Sequence, residues 1–126
     1  MRYQSTDWSL EIPEGWAHEN DEACTSFYRP NGVGAFQVSS YRKDGLVTDS
    51  DLREFAGDAQ LVAVSIGRVT GFRTQFNEDE KFWIRWYLRA GRQMLHVTYN
   101  CQLNESHQED VEIAAMLQSL VPTYSQ

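Results

Sequence analysis

Cysteine is scarce. The two in this 126-residue chain, Cys24 and Cys101, allow at most one disulfide, which excludes the small secreted scaffolds that depend on bridges. Both fall in strand-like patterns, where a free cysteine acts as a small buried hydrophobe. Long apolar runs are missing too. Runs such as Leu61–Val64 and Phe82–Ile84 fall far short of the ~20 residues a membrane span needs, so no membrane insertion is expected. The first seven residues, Met1 to Asp7, carry no apolar run behind Arg2, as a signal peptide would, and the cytoplasm is the expected compartment. Positive charge is limited: 11 Lys and Arg stand against 18 Asp and Glu, a net charge of −7. That balance argues against nucleic acid, whose affinity comes from neutralised phosphates, and against anionic lipid. Neither HExxH nor CxxC occurs, and His18, His96 and His107 are scattered. Gly67 and Gly71 flank Arg68 without the turn into a helix that a phosphate loop requires. No metal and no cofactor are therefore expected.

What is present is an ordinary globular composition, 41% apolar and 23% charged, in a length that suits one domain over residues 1–126. Trp8, Leu10 and Ile12 alternate with polar neighbours, as in a half-buried strand, and Pro13-Glu14-Gly15 ends it. Trp16 opens a second short strand. Cys24–Tyr28 reads as a third, and Pro30-Asn31-Gly32 turns it into a fourth beyond Gly34. Thr48 or Asp49 caps a helix whose apolar face is Leu52, Phe55, Ala56 and Ala59. Leu61 to Phe76 reads as one long strand, bent at Gly71 and closed by the acidic turn Asn77–Glu80.

Lys81 to Cys101 is the most informative stretch. Gly91-Arg92 suits a type II′ turn, which sets Leu88 against Leu95, Trp86 against Val97, Ile84 against Tyr99 and Phe82 against Cys101. All eight are apolar or aromatic, so this face is core. The other face pairs Arg89 with Met94, Tyr87 with His96, Arg85 with Thr98 and Trp83 with Asn100. A slip of one residue would scramble both faces. Asn104 or Ser106 caps a last helix, with Ser106–Glu109 as a capping box. Its stripe is Ile113, Met116, Leu117 and Leu120, flanked by small Ala114 and Ala115, and Pro122 stops it. The fold class is α+β: a single-domain antiparallel sheet of about six or seven strands with two packed helices.

The segments Leu10-Glu11-Ile12-Pro13-Glu14-Gly15-Trp16 and His96-Val97-Thr98-Tyr99-Asn100-Cys101, with Glu109 and Leu117-Gln118-Ser119-Leu120, carry a resemblance. In this order and spacing they resemble the PsbP/Mog-like fold, and within it the small bacterial DcrB-like domains. The resemblance implies an α/β/α sandwich and a binding or adaptor role, as in photosystem extrinsic subunits, a Ran-binding factor and accessory proteins of bacterial secretion. It offers no catalytic residue to carry onto a position here. The export signal usual for the DcrB type is missing.

Charge is uneven along the chain. Residues 1–63 hold five basic and 11 acidic side chains, whereas Gly67 to Arg92 holds six basic against three acidic. Trp83, Arg85, Tyr87, Arg89 and His96 therefore form a basic, aromatic strip on the second face of the hairpin. Arg with Trp and Tyr is the composition of binding hot spots. A helix laid over the face, with arginine stems packed beneath it, would also account for it. The expected function is a bacterial, non-enzymatic binding or adaptor protein, of the kind that chaperones or neutralises a secreted partner. Its partner is another protein, with a second copy of the chain as the alternative. The competing reading is a small enzyme with a pocket around Tyr87, His96 and Arg85, where opposed Tyr87 and His96 could transfer a proton.

Overall fold

The computed structural model describes residues 1–123. Ten strands run in order: β1 (Arg2–Gln4), β2 (Trp8–Glu11), β3 (Ala17–Asn20), β4 (Thr25–Tyr28), β5 (Gly34–Arg42), β6 (Val62–Ile66), β7 (Val69–Glu78), β8 (Lys81–Ala90), β9 (Gln93–Gln102) and β10 (Val121–Pro122). Helix α1 (Asp49–Ala56) lies between β5 and β6, and α2 (Asp110–Ser119) lies between β9 and β10. The class is α+β. A seven-stranded antiparallel sheet has the order β3-β4-β5-β9-β8-β7-β6, and a three-stranded sheet has the order β1-β2-β10.

The β8–β9 hairpin pairs as the alternation predicts, from Leu88 with Leu95 to Phe82 with Cys101 on one face and from Arg89 with Met94 to Trp83 with Asn100 on the other. Gly91 has φ of 60°, the left-handed value the first central residue of a type II′ turn needs. All eight residues of the first face are buried in the main core with Ile113, Met116, Leu117 and Leu120. An aromatic chain continues this core sideways: Trp86 to Phe36 (6.2 Å), Phe36 to Phe27 (6.4 Å) and Phe27 to Trp8 (6.1 Å). Helix α2 and the small sheet thus cover the inner face together, tied by the Glu11 N–H donating to Ser119 Oγ (2.8 Å).

Several expectations are corrected. Residues 61–76 are not one strand: Gly67, at φ of 54°, turns the chain so that β6 and β7 pair with Ile66 opposite Val69. Within β7, Gly71 marks a close approach of two backbones. It lies opposite Leu88, where a Cβ would run into the Tyr87 carbonyl. Strand β2 leaves the large sheet to pair with β1 and β10. Helix α1 is capped by Thr48, whose Oγ1 accepts the Asp51 N–H (3.1 Å) while the Asp51 carboxylate accepts the Thr48 N–H (2.9 Å). It stops at Gly57, so Ala59 lies beyond it, and Phe55 is 45% exposed rather than core. Ser106–Glu109 makes no capping box: α2 starts from Glu109 with no side-chain cap. Ala114 and Ala115 are exposed, because α2 packs through its opposite side.

Candidate functional site

The outer face of the large sheet carries all five residues of the basic, aromatic strip, but in two different environments. A second, smaller core of Val47, Leu52, Phe72, Tyr87 and Met94 forms where α1 lies on one end of this face. Tyr87 is buried there, its ring stacked on His96 at 5.1 Å. Phe55, from α1, caps the pair, 6.0 Å from Tyr87 and 5.2 Å from His96. Arg89 is tied to the start of the helix, its Nε donating to Asp49 Oδ1 at 2.7 Å. Three of the five residues therefore hold α1 in place. The His96 imidazole is pushed down to about 4, first by burial and then by the Arg85 charge. Its Nε2 is buried with no hydrogen-bond partner, which fits a neutral ring held by packing.

Trp83 and Arg85 lie beyond the helix. Eight residues make α1 ~12 Å long, whereas seven strands ~4.8 Å apart span ~29 Å. Most of the outer face is thus left without a helix. Trp83 stacks on Phe76 of β7, centroids 6.2 Å apart and planes within 5°. The Arg85 guanidinium carbon sits 5.0 Å from the centroids of both rings. Arg85 has no carboxylate partner among the described residues, and its Nε is buried with no hydrogen-bond partner. Beside it runs a polar row across the sheet, in which Thr98 Oγ1 donates to Gln37 Oε1 (3.4 Å) and Gln37 Nε2 donates to Ser26 Oγ (3.0 Å). Phe76, missing from the sequence-based strip, had a signal: the closing turn at Glu78–Lys81 sets it opposite Trp83.

Sequence reasoning also missed a buried cluster at the other end. Glu109 is wholly buried; its Oε1 accepts from Tyr99 OH (2.6 Å), and its Oε2 faces Arg29 Nη2 (3.4 Å) and the Val33 N–H (3.5 Å). Burial, then the bond to Glu109, raises the Tyr99 phenol far above its ordinary range. Burial likewise raises the Cys101 thiol, so it is no ready nucleophile. The arrangement anchors the Pro30–Gly34 turn to the start of α2. No group of three His, Cys, Asp or Glu among the described residues could hold a metal ion.

Two of the surface cavities adjoin the ends of the strip, one at Phe55 and Met94 and the other at Asn100, the partner of Trp83. One, of about 330 Å³, runs between α1 and β5 and is lined by Tyr41, Val47, Phe55 and Met94. The other, of about 460 Å³, is lined by Arg29, the turn Pro30–Gly34, Lys81 and Cys101. Neither is lined by Tyr87, His96 or Arg85.

No protein-family model matches the chain, and no curated relative matches it in sequence. Solved structures do share its fold. A crystal structure from Bacteroides thetaiotaomicron VPI-5482 superposes with a TM-score of 0.73 at 18% identity, covering 93% of this chain and 45% of that one. The chain thus spans less than half the length of that protein. LpqN, involved in cell envelope biogenesis of Mycobacterium tuberculosis, superposes with a TM-score of 0.61 at 10% identity, covering 93% of this chain and 83% of that one. At these identities the likeness is one of fold, and the fold is α+β.

Proposed function

We propose that this chain is a non-enzymatic binding module whose open outer face, at Phe76, Trp83 and Arg85, holds an acidic, aromatic segment of another protein. The observation that carries this reading is Arg85: a guanidinium lying over two adjacent stacked rings, with a buried Nε and no carboxylate of its own. A carboxylate arriving from a partner would supply that missing acceptor. The stacked rings would add contact area beside it. A second copy docked with its two-fold axis at Arg85 would bring Arg85 against Arg85, and so fits that point poorly. Nucleic acid fits poorly on a chain of net charge −7.

The PsbP/Mog-like assignment belongs to the same proposal, supported by the order of elements and by the adaptor roles common among such proteins. The enzyme alternative at Tyr87, His96 and Arg85 is the weaker reading: Tyr87 is sealed under α1, and none of the three residues lines the cavity between α1 and β5 or the one at the Pro30–Gly34 turn. We place the protein in the cytoplasm, where the free thiols of Cys24 and Cys101 suit the reducing conditions. Recovery of the tagged chain with envelope fractions would move it to the setting of LpqN.

Peptides selected against the immobilised protein from a random displayed library test the binding reading. Acidic, aromatic sequences should be enriched, and Arg85→Glu should weaken the selected peptide by roughly tenfold or more, with an unchanged melting temperature. Enrichment of basic sequences, or equal binding by the variant, would overturn it.

A further inference from the structure

The two edges of the large sheet are built differently. Strand β3 (Ala17-His18-Glu19-Asn20) is short and polar, and the acidic residues Asp21 and Glu22 follow it. Such an edge resists pairing with another chain. Strand β6 (Val62-Ala63-Val64-Ser65-Ile66) carries no charge and no proline, with Val62 62% exposed and Ala63 and Ser65 also exposed. The nearest cations, Arg68 and Arg73, belong to the turn and to β7. Nothing along β6 opposes strand addition.

Its backbone polarity follows from the register. Ile66 and Val69 flank a two-residue turn and so exchange both hydrogen bonds, after which bonded and non-bonded pairs alternate. Val62, Val64 and Ile66 therefore direct their N–H and C=O groups to β7. The Val64 carbonyl also accepts from Thr70 Oγ1 at 3.1 Å. Ala63 and Ser65 direct theirs away from the sheet, leaving four unpaired groups at the edge.

We propose that β6 is a self-association edge, on which a second copy of this chain docks antiparallel with Val64 on the two-fold axis. In that register Ala63 faces Ser65 of the second copy, and each pair exchanges two hydrogen bonds, so all four edge groups are satisfied at once. Val62, Val64 and Ile66 of both copies share one side of the new ribbon, and only Ala and Ser occupy the other. A same-strand contact closes on itself, and β3 cannot extend it, so the product is a discrete dimer rather than a fibre. Five residues per copy are fewer than the roughly 20–30 of a standard interface, so the dimer is concentration-dependent.

Sedimentation over a concentration series, with thermal melts alongside, tests the edge. The unmodified chain should dimerise. Ala63→Lys with Ser65→Lys sets like charges opposite each other twice and should raise the dissociation constant by about tenfold, with an unchanged melt at concentrations where the unmodified chain is monomeric. Ala63→Lys with Ser65→Glu sets opposite charges in the same positions and should restore dimerisation. If the double-lysine variant melts early, Ser65→Pro replaces it, since it removes only an outward N–H. A chain monomeric up to about 1 mM, a blocking variant that dimerises normally, or a charge-paired variant as weak as the double-lysine one would each overturn the assignment.

Discussion

The two faces of the seven-stranded sheet come from the same alternating strands, yet they meet different fates. The inner face is closed by α2 together with β2, and its hairpin residues are buried throughout. The outer face receives one eight-residue helix, which seals Phe72, Tyr87 and Met94 and ends before Trp83 and Arg85. Alternation determines which residues share a face. Only the length and landing place of the covering element determine whether that face is core or surface. A basic, aromatic strip that looks uniform in sequence is thus divided into a structural half and an open half.

The largest effect should come from breaking the closed side. Trp86 is 3% exposed at the centre of the inner face, and Trp86→Ala should cost about 3–5 kcal/mol in denaturant unfolding. A loss below about 1 kcal/mol would reject its place as a core anchor. Glu109 is the charged exception on that side. Glu109→Ala leaves the Tyr99 hydroxyl without its acceptor and should cost about 2–3 kcal/mol. Glu109→Gln keeps an acceptor and should recover much of that loss. Equal losses for the two variants would mean that packing, not the hydrogen bond, holds the site.

These residues also mark what was legible in the sequence. The β8–β9 register could be read because Gly91 and the alternation of both strands agree on one answer. The same Gly-Arg dipeptide recurs at Gly67-Arg68 and makes the β6–β7 turn. It was missed there because β6 has apolar or small residues on both faces, so no alternation breaks at the turn. Separation of β2 into its own sheet had no local signal either, since its partners β1 and β10 come from the two ends of the described chain. Glu109 shows a different limit. A glutamate three residues after a serine matches a capping box, and only the fold brings Tyr99 and Arg29 close enough to claim its carboxylate. Of the strip, shared placement was legible but coverage was not. That required knowing that α1 ends at Gly57, where φ is 73°.

Acid should strain the covered half of the outer face. The His96 imidazole titrates at about 4 when folded, against 6.5 for an ordinary histidine. As pH falls from 6.5 toward 4, the unfolded chain takes up this proton before the folded one, so stability is present above 6.5 and declines through that window. Allowing for solvent screening of a partly exposed ring, the loss should be about 1–2 kcal/mol. His96→Gln should flatten this part of the stability profile. An unchanged slope would assign the acid sensitivity to the carboxylates.

The smallest effect is the sharpest test of the division, because it compares two arginines four residues apart on one strand. Arg89→Ala removes a partly exposed ion pair to Asp49 that helps seat α1, worth about 0.2–1 kcal/mol. Arg85→Ala removes two cation–π contacts, each worth about 0.5–1 kcal/mol at exposed sites. It also removes a buried, unpartnered Nε, which costs the folded state about 1–3 kcal/mol. The two contributions of Arg85 roughly cancel, so its removal should leave stability unchanged or slightly raised, while removal of Arg89 lowers it. An arginine that the fold does not need, laid over two stacked rings, is the signature of a residue that serves something outside the fold. Matched urea titrations of the two variants decide the point: a clear loss for Arg85→Ala, equal to or above that for Arg89→Ala, would make both arginines structural and erase the boundary drawn at the end of α1.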